Sequence, residues 1–213
     1  MARMSSVDRR VELVQAALRV IAAKGVNGAT TRAIVAEAGM SLASFHYAFT
    51  SRDEMMRELI AFVVENETNA VFAEIDFGRD IRETLRNGLQ GYFSNVLADP
   101  GHEQVMFELL QYALRTPELA DLAREQYARY HAAVIELLHA AETHANVVWS
   151  LPVEEIARTI VAITDGLTLA WLADRDSEAS ARVMDFAADS LARLATVSAP
   201  EQSPSARTKE HVL

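Results

Sequence analysis

Apolar residues recur along almost the whole chain at three- and four-residue intervals, and nowhere in the two-residue alternation of a half-buried strand. Val14, Ala17, Leu18, Ile21 and Ala22 make the first buried stripe, behind a capping box of Ser5 and Asp8. Gly25 ends that helix, and Val26-Asn27-Gly28 turns the chain toward Thr30. Two short helices follow. Thr30 is a good N-cap for the first, whose inner side is Ile34 and Ala38, and Gly39 stops it where the backbone needs a positive φ. Ser41 caps the second, and Phe45 and Phe49 point inward together at i and i+4. Ser51-x-x-Glu54 is a further capping box, opening a stem helix from Arg52 through Asn69.

Past Asp76 each segment again reads as helix. One runs from Ile81 to Val96 and is ended by Asp99-Pro100-Gly101; the next, Glu103 to Leu114, is apolar on most sides. Thr116-Pro117-Glu118 combines an N-cap with proline in the first turn and starts a long helix striped by Leu119, Ala123, Tyr127, Tyr130, Val134, Leu137, Leu138 and Ala141. Pro152-Val153-Glu154-Glu155 starts a helix reaching about Ala173. Ile156, Ile160, Ile163, Leu167 and Ala170 line one of its sides, and Val161, Leu169 and Leu172 occupy others, so it needs cover nearly all round: its own core on one face and a second chain on another. Asp176-Ser177 opens the last helix, with Val183, Ala187, Leu191 and Leu194 inward. The expected fold is all-α: an N-terminal three-helix unit over residues 1–55, a helical body over 56–197, and a tail from 198 to 213 too poor in apolar residues to fold.

Two short capped helices joined by a glycine turn, here over about 30–49, make a helix-turn-helix, which lays its second helix in the major groove of DNA. At 100° per residue, Ala43, Ser44 and Tyr47 fall opposite Phe45 and Phe49, with Leu42 and His46 on the flank. Small residues allow close approach to base edges: Ser44 can bond a base or a phosphate, Ala43 or Leu42 can meet a thymine methyl, and Tyr47 can offer its hydroxyl to a phosphate. The order Thr30-x-x-x-Ile34, Ala38-Gly39-x-Ser41, Phe45, Phe49, Ser51-Arg52 and Met55 closely resembles the DNA-binding domain of the TetR family of repressors. The resemblance implies that Arg32 stands where some members reach a guanine, and that Arg52 takes the place of a lysine that touches phosphate. Thr30, Thr31 and Ser41 complete the candidate DNA-contacting set with Arg32, Leu42, Ala43, Ser44, His46, Tyr47 and Arg52. His46 departs from the usual tyrosine, Ala48 is smaller and Val35 bulkier than the family pattern. The same resemblance implies a homodimer built on the last two long helices, with Ile156, Ile160, Ile163, Leu167, Val183, Ala187, Leu191 and Leu194 as its expected surface. It also implies a small organic effector inside the body, whose pocket would draw on Met106, Phe107, Leu110, Tyr112, Tyr127, Tyr130, Asp165 and Trp171.

Charge changes this picture less than the net value of −10 suggests, because residues 1–57 carry +3 and the remainder −13. A mildly basic head on an acidic body suits one face that binds DNA. Arg3, Arg9 and Arg10 can reach phosphates, or lie as loose surface arginines. Cysteine is absent, which removes disulfides and thiolate metal sites and fits a reducing cytosol. The first residues form no apolar leader, and no later apolar run reads as long enough to span a bilayer, so a cytoplasmic protein is expected. His102, His131, His139 and His144 make no HxxxH or HExxH pair, and no nucleophile elbow, phosphate loop or dinucleotide fingerprint is present; no metal, cofactor or catalysis is expected. Asp165-Gly166 lies in the middle of an apolar helix. Its carboxylate needs a partner, either a ligand or a neighbouring helix, and its glycine permits close approach. The reading is a dimeric, effector-released repressor on a pseudo-palindromic operator. The alternative is a helical small-molecule carrier whose head is only a protein-interaction surface, and an enzyme in the body is a third.

Overall fold

The computed structural model describes residues 5–67 and 80–197. Within them the chain runs α1 (Ser6–Gly28), α2 (Thr31–Glu37), α3 (Leu42–Ala48), α4 (Arg52–Glu67), α5 (Ile81–Ala98), α6 (Pro100–Arg115), a 3-10 turn (Pro117–Leu119), α7 (Ala120–Ala145), β1 (Val147–Trp149), α8 (Val153–Asp174), α9 (Ser177–Ala192) and β2 (Ala195–Val197). The end of the expected stem helix, Arg3 and the tail from Ser198 lie outside the described residues.

The expected caps close. Ser5 Oγ accepts from Asp8 N at 3.0 Å, Thr30 Oγ1 from Ala33 N at 3.2 Å, Ser41 Oγ from Ser44 N at 3.1 Å, and Ser51 Oγ from Glu54 N at 3.0 Å. Asp176 does the same for α9, accepting from Ala179 N at 2.8 Å. Gly25 breaks α1 at φ 71°, and Gly39 turns between α2 and α3 at φ 63°. A Cβ at Gly39 would meet nothing within 4 Å, so substitution there is opposed by backbone strain alone. Gly39→Val is expected to cost about 1–2 kcal/mol, read as a melting temperature a few degrees below the parent's.

Four expectations are corrected. Pro100 and Gly101 do not separate two helices but form the first turn of α6, because Asp99 accepts from His102 N at 2.9 Å and proline needs no partner at N1. Thr116 makes no side-chain cap; a 3-10 turn intervenes before α7 begins at Ala120. A short antiparallel ribbon pairs Val147 with Val197, Val148 with Thr196 and Trp149 with Ala195. Three-residue strands are too short to show alternation, and the left-handed Asn146 that releases the chain from α7 was the available signal. Finally, α8 holds an 18-residue window of mean hydropathy 1.4 and is long and apolar enough to cross a bilayer by length and composition. Here its inner face is covered by protein instead, with Ile156, Ala157, Val161, Leu167 and Trp171 all buried.

The head shares its core with the body. Leu13, Ile34, Phe45, Phe49, Met55 and Leu59 form one continuous cluster with Val105, Leu109 and Ala113 of α6 and Leu122 of α7. A second cluster joins α7 to α8 through Val134, Leu138, Ile156 and Val161, capped by Trp149 from the ribbon. A third places Leu89 and Phe93 of α5 against Leu167, Trp171 and Met184. Arg82 to Asp189 and Arg86 to Asp185, both 2.7 Å, clip α5 to α9.

Candidate nucleic-acid interface

The inner side of α3 is anchored by Phe45 and Phe49, each 1% exposed, whose rings pack 5.6 Å apart. That anchoring fixes which residues face out. Leu42, Ala43, His46 and Tyr47 are exposed, Tyr47 at 70%, and Ser44 is half-buried. Ser44 Oγ lies 3.0 Å from the capping Ser41 Oγ, so the two hydroxyls present one polar spot at the start of the helix. Thr30 and Arg32 are exposed and Thr31 half-buried beside them.

The head's cations divide by partner. Arg10 donates to Glu58 at 2.8 Å and to the Ala48 carbonyl at 2.6 Å, and stacks over Phe49 at 4.3 Å. Those three contacts assign it to bracing α3 rather than to phosphate. Arg19 pairs with Glu37 and Glu12 at 2.8 and 2.9 Å, and Arg57 with Asp121 at 3.0 Å. Arg32 and Lys24 make no ion pair or hydrogen bond among the described residues, so their charge is available to a polyanion. Arg9 lies 5.1 Å over the Tyr47 ring, setting a cation against its face.

Arg52 is corrected. Its guanidinium turns inward, donating to Ala29 O, Val26 O and Tyr112 Oη, each at 2.9 Å, and sits 5.3 Å from the Tyr112 ring. With one bond from each nitrogen, it ties the α1–α2 turn to α6. Tyr112 passes the bond on, donating to Asp53 at 2.8 Å, and burial followed by that carboxylate raises its hydroxyl pKa. Glu108 of α6 accepts from Val26 N at 2.8 Å, a second clasp on the same turn.

The residues expected to line an effector pocket do not converge as one set. Met106, Leu110 and Tyr112 pack with the head cluster, and Trp171 with Phe93 in the third cluster, ring edge to face at 5.9 Å. Phe107 is half-buried on α6. Tyr127, Tyr130 and Asp165 do come together, and His131 joins them, a member the sequence reading left out although it sits one turn past Tyr127. Tyr127 Oη donates to Asp165 Oδ2 at 2.6 Å; burial first, and then this carboxylate, push the phenol pKa up. Burial raises the Asp165 pKa, against the opposing pull of Tyr127 and His131. The folded chain therefore holds this proton to higher pH than the unfolded chain does. Its stabilising contribution is complete below the ordinary carboxylate range and is lost as pH rises through the folded pKa. Asp165→Asn is thus expected to gain stability relative to the parent between pH 4 and pH 8, in parallel thermal melts.

The expected dimer surface is also divided. Ile156, Leu167, Ala187 and Leu191 are at most 3% exposed within the single chain and serve its own core, which removes them from any outer face. Ile160, Ile163 and Leu194 are half-buried and Val183 is 45% exposed. The outward apolar face of α8 and α9 instead carries Leu169 at 50% and Phe186 at 73%, neither of them in the expected set. Periodicity hid this face, because α8 is apolar all round and nothing in the spacing says which side its own chain covers. Gly166 and Ala170 lie on the same exposed side, and a Cβ at Gly166 would meet nothing of its own chain within 4 Å. The close approach that this glycine permits is thus not used within one chain.

Comparison with known proteins covers both parts. Residues 13–59 match the model for bacterial regulatory proteins of the tetR family, and residues 81–196 the model for the BetI-type transcriptional repressor C-terminal region. The nicotine-responsive transcriptional repressor HdnoR of Paenarthrobacter nicotinovorans is 32% identical over 81% of this chain and 88% of its own. The multidrug binding protein EbrR, solved with ethidium, superposes with a TM-score of 0.64 at 28% identity, over 89% of this chain and 99% of that one. A transcriptional regulator from Rhodococcus sp. gives 0.70 at 22% identity, over 90% and 99%, a likeness of fold.

Proposed function

Because the chain belongs to the TetR family and is a ligand-responsive, DNA-binding transcriptional repressor, we propose that it acts as a cytoplasmic homodimer on an inverted repeat. In this reading each copy sets α3 in a major groove. Leu42, Ala43, Ser44 and His46 face the bases, Tyr47 and Arg9 the backbone, and Arg32 reaches down from α2. The observation that carries the reading is the exposed side of α3, Leu42, Ala43, His46 and Tyr47, on a head that also exposes the unpaired cations Arg32 and Lys24. Leu169 with Gly166 and Ala170 on one side of α8, and Val183 and Phe186 on α9, favour a second copy on these two helices, since exposed large apolar side chains mark an interface. The nicotine response of HdnoR and the ethidium held by EbrR support a nitrogen-bearing organic effector. Such an effector would release the operator by binding the DNA-free state more tightly than the DNA-bound one.

Selection of duplexes from a random pool by the intact protein tests this. The expected product is an inverted repeat whose half-site centres lie a whole number of helical turns apart. Enrichment of single half-sites, or of none, would contradict the dimeric reading.

A further inference from the structure

Asp165 is a carboxylate in an apolar helix with one donor. Oδ2 takes the Tyr127 hydroxyl at 2.6 Å, and Oδ1 takes nothing among the described residues. Every fully enclosed polar side-chain atom among the described residues has a partner, so the bare Oδ1 is open to solvent. Among the described residues, no lysine or arginine pairs with this group. His131 does not neutralise it either, since burial and then Arg158 of α8 hold its imidazole below the ordinary histidine value. Open to solvent, Oδ1 is satisfied by water alone and stays within reach of a donor or cation that arrives from solution.

What stands around it is aromatic. The Tyr127 ring lies 5.9 Å from that of Tyr130 and 6.2 Å from that of His131, each pair inclined at 62°. One turn further along α8, Thr168 meets the Tyr92 hydroxyl at 2.7 Å, so α5 joins α7 on the same stretch. A negative charge beside several π faces recognises a positively charged nitrogen that is poorly hydrated.

We propose that the effector of this repressor is an organic cation whose nitrogen seats against Asp165 beside the rings of Tyr127, Tyr130 and His131, an inference that rests on the effector-responsive reading above. The occupied site spans α7 and α8. Further up, α7 carries Asp121, which holds Arg57 of α4, so a ligand that shifts α7 bears on the stem of the DNA head.

The test uses the full chain with tetramethylammonium, phenyltrimethylammonium and benzyltriethylammonium, and with tert-butylbenzene as the neutral isostere of the second, read by calorimetry at pH 7.5. At least one cation is expected to bind the parent, to bind Asp165→Asn at least ten-fold more weakly, and to outcompete the isostere. Tyr127→Phe keeps the charge and is expected to retain cation affinity within a few-fold. No cation binding, equal binding by Asp165→Asn, or a loss in Tyr127→Phe as deep as in Asp165→Asn would overturn the proposal. Retention of an enriched duplex by the same preparation separates the two ideas. DNA binding without cation binding removes the site and leaves the operator reading, whereas Asp165-dependent cation binding without DNA enrichment does the reverse.

Discussion

Arg52→Ala is expected to lower stability by about 2–4 kcal/mol, from the loss of three charge-assisted bonds with their acceptors left behind, or roughly 5–15 °C in melting temperature for a chain of this size. The acceptors it leaves are Ala29 O in the α1–α2 turn, Tyr112 Oη of α6, and Val26 O at the end of α1, which keeps its bond from Ala29 N at 3.2 Å. The variant should therefore lose more than stability. With that clasp gone, only Glu108 to Val26 N ties the turn to α6 by a hydrogen bond among the described residues, and α2 and α3 lose a fixed angle to the body. Operator affinity is expected to fall at a temperature where the variant is still folded. Because the guanidinium faces inward, the salt dependence of binding should keep the parent's slope, whereas removing a phosphate contact would flatten it by about one unit. Arg52→Lys should not rescue, since an ammonium cannot span three acceptors in a plane.

Phe186→Asp is expected to convert the protein to a monomer at micromolar concentration. Its side chain is 73% exposed on the single chain, one turn from the exposed Val183 on α9, and Leu169 of α8 is exposed as well. A charge at the centre of such a face would cost about 2–4 kcal/mol of association, as central interface residues do. Tethering two heads gives an avidity of about 10²–10⁴ over one, so operator binding should fall by a comparable factor although α3 is untouched. Sedimentation alongside DNA titration reads both. A variant that stays dimeric with wild-type affinity would place the interface elsewhere.

Much of this architecture was written in the chain as caps and glycines. Ser5, Thr30, Ser41, Ser51 and Asp176 announce their helices because a short polar side chain can satisfy the free N–H groups there and nowhere else nearby. Gly39 announces the turn because its φ of 63° is closed to most other residues. The outward face of α3 was equally legible, since two phenylalanines fix the phase of a two-turn helix. Arg52 was not. A guanidinium on a flexible stem can turn either way, and its choice depends on carbonyls 23 and 26 positions upstream and a tyrosine 60 downstream. The pocket residues divide among clusters for the same reason: bulk and a polar tip say that a side chain wants a partner, not which cluster supplies one. His131 was passed over in a search for metal pairs, yet it lies four residues after Tyr127, the spacing of neighbours on one helix face.

The central claim is that the exposed side of α3, supported by Arg32 of α2, reads the DNA. Its most direct test is the affinity of the selected inverted repeat for the parent and for Arg32→Ala, Tyr47→Ala, whose side chains are exposed and whose loss leaves the core intact. With each contact worth about 1–3 kcal/mol, the double variant should bind about 10²–10⁴-fold more weakly while melting within a degree or two of the parent and remaining a dimer. Equal affinity in the two proteins would contradict the assignment of α3 as the reading helix.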